Sequence, residues 1–253
     1  MLKTIKTPKS SIPTRTGKFI AIYNSKGGVG KTEISRNLAH RAIELRRPVV
    51  LFDVDSQKDS STLMLPVGKV MQPEHFDFER SEFVLVTQNF ADVRAYPERI
   101  IIADCPPQHE SVELFSKVAD FWIIPVGCDT QEVQHAIEVA KRVAQPFAFV
   151  LSRWDLDVEQ SDEFISALFA VGKIFGSVLH QDNAVVAEAR AKRLPIWDID
   201  DELGEMFSNL ADWVVGSQCS EHEDCFLNED DLDELFGIQD FEDIRNRSRI
   251  RYE

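Results

Sequence analysis

The sequence predicts an α/β fold, a mostly parallel sheet flanked by helices on both faces. Three observations lead there. From residue 19 onward, short apolar or β-branched runs alternate with longer stretches of helical spacing, the signature of βαβ units. The short runs are continuously apolar, as strands are when helices cover both faces of a parallel sheet. A glycine-rich turn, "SKGGVGKT", separates the first run from the first helical stretch.

Taken in order, the first strand is "KFIAIYN", followed after the turn by helical spacing over 32–46. "PVVLFDVD" and "EFVLVTQ" read as the next two strands, and the polar, proline-containing segment 56–81 between them breaks the alternation. Open α/β sheets bind ligands beyond the carboxyl ends of their strands, so this segment would border a nucleotide held after the first strand. It reads either as a switch region or as an ordinary surface connection. "RIIIADC" is the fourth strand, with helical spacing over 110–118; "FWIIPVG" is the fifth, followed by 129–144. "PFAFVLS" and "KIFGSVL" complete the strands, with helices expected over 158–171, 183–192 and 201–216. There is no internal repeat and no Ser/Gly linker in this region.

A chain of 253 residues can bury the core of one main domain. It is assigned to 18–216, between a basic tail over 1–17 and an acidic, then basic, tail over 217–253. Hydrophobic content of 43% suits a soluble globular protein, and no apolar run approaches the roughly 20 residues that span a bilayer. The basic N-terminus lacks the apolar region of a secretory signal, so a cytoplasmic location with reduced cysteines is expected. A formal charge of −15 argues against a protein that coats nucleic acid over its whole surface. The charge is uneven: no acid precedes Glu33, whereas "EHEDCFLNEDDLDELFGIQDFED" near the other end is strongly acidic.

The turn carries the chemistry. Consecutive backbone N–H groups can wrap a phosphate where Gly27, Gly28 and Gly30 permit the shape, and a helix beginning near Lys31 adds its positive end. Lys31 would reach the β- and γ-phosphates, and the Thr32 hydroxyl suits Mg²⁺. The nucleotide contacts are assigned to Lys26, Gly27, Gly28, Val29, Gly30, Lys31 and Thr32. Carboxylates that orient metal-bound water are sought at strand ends, where Asp53 and Asp55 stand in "LFDVDSQ" and Asp104 in "IIIADCPP". Lys26, a second lysine placed before the glycines, needs its own explanation.

"KGGVGKT", "FDVDSQ", "IADCPP", "IIPV" and "VLHQDNAVVAEARAKRLPI" occur in that order, and with them residues 18–216 resemble the deviant Walker A P-loop ATPases of the ParA and MinD group. The small partition ATPases of ParA type are the nearest match. The resemblance implies ATP and Mg²⁺ as ligands and a nucleotide-dependent homodimer in which Lys26 reaches the partner's nucleotide. Such a cation acts as an arginine finger does in trans. It further implies that Asp55 positions the attacking water, that Asp53 lies near the metal and that Asp104 holds a Mg²⁺-bound water. Three positions depart from the family pattern: Glu33 replaces a hydroxyl residue that touches the α-phosphate, Ser56 a proline, and Ser152 an adenine-reading asparagine.

In this group the ATP dimer binds DNA without sequence preference and an adaptor encoded beside the ATPase, ParB-like in many cases, stimulates weak hydrolysis. Nucleoid association follows. The basic residues of the carboxyl half, Lys141, Arg142, Arg190, Lys192 and Arg193, are the candidates for DNA contact. The competing expectation is a membrane-associated spatial regulator like MinD, which needs a C-terminal amphipathic helix; "FEDIRNRSRIRYE" has few large apolar residues on a consistent face. Cys219, His222 and Cys225 offer three zinc ligands without a fourth nearby. Cys105 and Cys128 lack the glycine-rich setting of a shared iron–sulfur cluster and read as buried, inert thiols.

Overall fold

The computed structural model describes residues 17–45, 47–54, 84–87, 99–154, 161–176, 179, 183–216, 226–228 and 231. In chain order they form β1 (Phe19–Ile22), α1 (Lys31–Glu44), β2 (Val49–Asp53), β3 (Val84–Thr87), β4 (Ile100–Asp104) and α2 (Glu110–Phe115). There follow β5 (Phe121–Val126), α3 (Thr130–Arg142), β6 (Phe147–Leu151), α4 (Ser161–Phe169), β7 (Lys173–Ile174), α5 (Asn183–Lys192), a 3₁₀ turn at Ile196–Asp198, and α6 (Asp201–Val215).

The seven strands make one sheet in the order β3-β2-β4-β1-β5-β6-β7, and every strand pair is parallel. Successive strand residues point to opposite faces. Phe19, Ala21 and Tyr23 therefore join a core built with α2, α3 and α4, while Ile20 and Ile22 join a second core built with α1, α5 and α6. Because both faces are covered, the central strands show no polar alternation.

β1 lies between β4 and β5. The chain leaves it toward β2 on one side and later returns to β5 on the other, which makes the end of β1 the topological switch point where ligands bind in such sheets. Helix ends follow local chemistry. Asp129 caps α3 by accepting from the N–H groups of Gln131 and Glu132 at 2.8 and 3.0 Å, and Asp200 caps α6 through Leu203 N–H at 2.8 Å.

A seventh strand is expected over 173–179. Among the described residues of that run, Lys173–Ile174 form the ladder, with isolated bridges from Leu179 to Ser152 and from Phe175 to Phe226. The outer side of β7 is taken by the chain beyond α6: Phe226 pairs antiparallel there, and Leu227 N–H donates to Ile174 O at 2.9 Å. Segment 56–81 lies outside the described residues, as do Asp55, Ser56, Cys219, His222, Cys225 and residues 1–16.

Candidate functional site: a phosphate loop at the switch point

The turn after β1 is fixed from below. Asn24 is fully buried; its Nδ2 donates to Pro125 O at 2.8 Å on β5, and its Oδ1 accepts from Lys26 N–H at 2.9 Å. Lys31 is buried too, and its ammonium donates to Asn24 O at 3.1 Å and to Lys26 O at 2.7 Å. Gly28 and Gly30 adopt φ of 78° and 88°, a region costly for residues with a Cβ. At Gly30 a Cβ would also press on Ser152 Oγ, at 2.5 Å, whereas the space over Gly27 and Gly28 is open.

This cradle fits a phosphate. Gly30 provides no side-chain cap to α1, so the first amides of a helix of 14 residues are left for an anion. Register brings carboxylates to the same end of the sheet: Asp53 pairs with Asp104, and Asp104 with Ile22, the last residue of β1. Both aspartates are buried. Lys26, Gly27, Gly28, Val29, Gly30, Lys31, Thr32, Asp53 and Asp104 thus gather at one edge, and Thr32, Asp53 and Asp104 are the hard oxygen donors that suit Mg²⁺ there. Cys105 is buried, and burial followed by the Asp104 charge pushes its thiol well above the ordinary range while Lys31 opposes the shift. Its burial agrees with the expectation from sequence, whereas Cys128, expected to be buried as well, is only partly so.

Glu33 does not act as a hydroxyl substitute. Its Oε1 accepts from Arg36 Nε at 3.2 Å and from Asn37 Nδ2 at 3.0 Å, and its Oε2 accepts from Arg190 Nε at 2.9 Å. Arg36 Nη1 continues to Leu194 O at 2.6 Å. The departure at residue 33 is therefore one member of a brace between α1 and α5. Ser152 sits against Gly30 and is 4% exposed, so it fits closely under the loop.

The five candidate DNA contacts fall into two groups on opposite layers. Lys141 and Arg142 end α3 on one face, and Arg190 and Lys192 end α5 on the other, with Arg193 directly after it. Arg142 contacts His109 Nδ1 at 3.1 Å, Arg190 pairs with Glu33, and Lys192 pairs with Glu188. Two features escaped the sequence reading: the Glu33 brace, and a carboxylate pair at the start of α3, the capping Asp129 and Glu132, that meets Lys26. Asp129 directly follows "PVGC" at the end of β5, a position where a cap was the only local signal. Among the described residues there is no cluster of metal ligands of the Cys/His kind, and no helix is long and apolar enough to cross a membrane.

Residues 20–196 match the family model described as the CobQ/CobB/MinD/ParA nucleotide binding domain. The chain is 28% identical over 141 residues to the "Maintenance of carboxysome distribution protein A" of Gloeobacter kilaueensis, an alignment over 55% of this chain and 61% of that one. It is 27% identical over 173 residues to the chromosome partitioning protein ParA of Myxococcus xanthus, over 51% of this chain and 61% of the relative. The chain thus spans about three fifths of the length of these curated relatives. Among solved structures it is similar to apo McdA of Cyanothece, with a TM-score of 0.61 at 17% identity over 79% of this chain and 99% of the other. It is likewise similar to the MinD of Pyrococcus horikoshii complexed with Mg-ADP, with a TM-score of 0.56 at 18% identity over 81% and 100%. Those two likenesses establish the fold. Loop, sheet order and family match converge: this chain belongs to the CobQ/CobB/MinD/ParA nucleotide binding domain family.

Proposed function

We propose that the protein is an ATP-dependent dimeric switch that positions a large cargo, DNA or an organelle-sized body, and that ATP hydrolysis is its timer. The observation that carries this reading is the contrast between the loop's two lysines. Lys31 is buried beneath the loop, where it can serve only the nucleotide of its own chain, whereas the Lys26 side chain is 29% exposed and stands at the rim. An exposed cation at a phosphate site is suited to a second nucleotide brought by a partner subunit. The printed names of the two curated relatives, one for carboxysome distribution and one for chromosome partitioning, support a positioning role.

In this reading Lys31 and the loop amides bind the β- and γ-phosphates, and Thr32, with Asp53 and Asp104 nearby, would hold a Mg²⁺ that would supply charge neutralisation there. Asp55 orients a water for in-line attack on the γ-phosphorus, with the bridging oxygen leaving on ADP. An adaptor encoded beside this chain stimulates that weak turnover and releases the dimer from its surface. Non-specific DNA is the favoured surface, contacted by Lys141, Arg142, Arg190, Lys192 and Arg193. Lys141 and Arg142, adjacent in the last turn of α3, are the first residues to test.

Three variants test the reading together. Lys31→Ala should weaken ATP binding by about 100-fold in calorimetry. Lys26→Ala should bind ATP but form no ATP dimer on sizing, and Asp55→Ala should slow single-turnover hydrolysis by about 100-fold and keep the dimer. A Lys26→Ala protein with normal dimer and turnover would remove the trans role. Cosedimentation of the Asp55→Ala dimer with DNA or with anionic liposomes separates a nucleoid surface from a membrane one, and salt should release it steeply from DNA.

A further inference from the structure

Within its own chain, Lys26 is held at three points. Its N–H is taken by Asn24 Oδ1 and its carbonyl by the Lys31 ammonium. Its own ammonium lies 2.7 Å from Asp129 Oδ2 and 3.1 Å from Glu132 Oε1. The acids that receive it are themselves built in. Asp129 uses its other oxygen to cap α3. Glu132 has a side chain only 6% exposed, shares Oε1 with Arg153 Nη2 at 2.9 Å, and keeps a buried Oε2 with no hydrogen-bond partner. Gly127 makes the room, since a Cβ there would collide with that Oε2. Arg153 reaches its place from a left-handed φ of 55°, an uncommon conformation for a residue with a Cβ.

We propose that Asp129 and Glu132 are positioning residues that park Lys26 on its own subunit, so that ATP-dependent dimer assembly must exchange this internal ion pair for the partner's nucleotide. The proposal rests on the trans role of Lys26 given above. The exchange is inexpensive where it has to be: Lys26 and Asp129 are 29% and 48% exposed, and ion pairs at that exposure are weak. The hydrogen bond that Lys26 donates to Asp129 holds its ammonium above the ordinary lysine range while the pair is intact.

Nucleotide binding supplies the trigger. Phosphate oxygens are stronger acceptors than main-chain carbonyls and compete for the N–H groups with which Lys31 now grips Lys26 O. Filling the loop therefore loosens the inner hold on Lys26 while placing a new anion for it on the facing subunit. Neither lysine then acts alone: the one that senses the chain's own nucleotide releases the one that reaches for the partner's.

Asp129→Asn and Glu132→Gln test this in the full chain. Asparagine caps a helix as well as aspartate does, so Asp129→Asn keeps α3 intact even if Glu132→Gln disturbs Arg153. In the nucleotide-free monomer, acylation of Lys26 by an amine-directed reagent, read by peptide mass spectrometry, should rise about threefold in either variant. The ATP-dimer dissociation constant, from sedimentation velocity, should fall about tenfold, because two parked lysines are released per dimer and the factor enters twice. Unchanged Lys26 reactivity in both variants overturns the parking. A raised dimer constant also overturns it, because the acids would then serve the interface. If no variant and no parent protein dimerises with ATP, the trans role fails by itself, and the reactivity still decides whether the acids hold Lys26.

Discussion

Glu33 and Glu132 occupy the same place in two different helices, the third residue of α1 and of α3, and each serves two cations with a side chain 6% exposed. Their partners differ. Glu33 holds Arg36, whose side chain is 0% exposed, and Arg190; Glu132 holds Lys26 and Arg153, at 29% and 33%. A fully buried cation cannot leave its carboxylate without large desolvation cost, whereas a partly solvated one finds water at once. The same acid at the same helix position therefore makes a permanent brace in one place and an exchangeable hold in the other.

The comparison breaks most visibly at Glu33. Glu33→Ala strands Arg36 without a counter-charge and should destabilise the fold by about 3–5 kcal/mol in denaturant unfolding. A loss below about 1 kcal/mol would make the two glutamates equivalent. The next effect concerns His40, one turn beyond Arg36 on the same helix. Burial, with the Arg36 charge second, lowers its pKa to about 3, and its Nε2 is buried with no hydrogen-bond partner. The unfolded chain takes up this proton near pH 6.5 and the folded one does not, so stability must fall as pH drops from 6.5 toward 3. By pH 5 the histidine accounts for about 2 kcal/mol, a loss that His40→Gln should remove from the pH profile of unfolding. The smallest effect falls on the exchangeable side. Gly127→Ala pushes against the far end of the Glu132 side chain, which can shift, and should cost about 1 kcal/mol in thermal unfolding.

What the sequence disclosed follows from distance along the chain. The strands along the chain and the loop rest on local pattern: "GGVGKT" after an apolar run marks the cradle, and Asp53 and Asp104 stand at strand ends that register brings side by side. Most helix limits agree within one or two residues for the same reason. Arg190 meets Glu33 across 157 residues and Lys26 meets Asp129 across 103, and nothing local announces either pair. Arg190 resembles an ordinary solvated cation in a helical stretch, and only the fold shows that Glu33 answers it, whereas the pair of Lys192 with Glu188 is local, four residues apart on one helix. The composition of "KIFGSVL" marks the seventh strand, whereas its outer neighbour Phe226 comes from beyond residue 216 and no local signal announces it.

At the far edge of the sheet, the two residues of β7 are sealed by that late segment. Phe226 stacks edge-on against Trp213 at 5.3 Å, Lys173 Nζ lies 4.8 Å from its ring centre, and Leu227 is 6% exposed. A parallel sheet left open on one side offers its unpaired backbone to any extended chain that drifts past. Here Ile174 O already has its donor in Leu227 N–H, and an aromatic lid covers the strand. Residues 226–228 of the acidic stretch thus form a selvage, a bound margin that keeps the rim of the sheet from pairing with another chain.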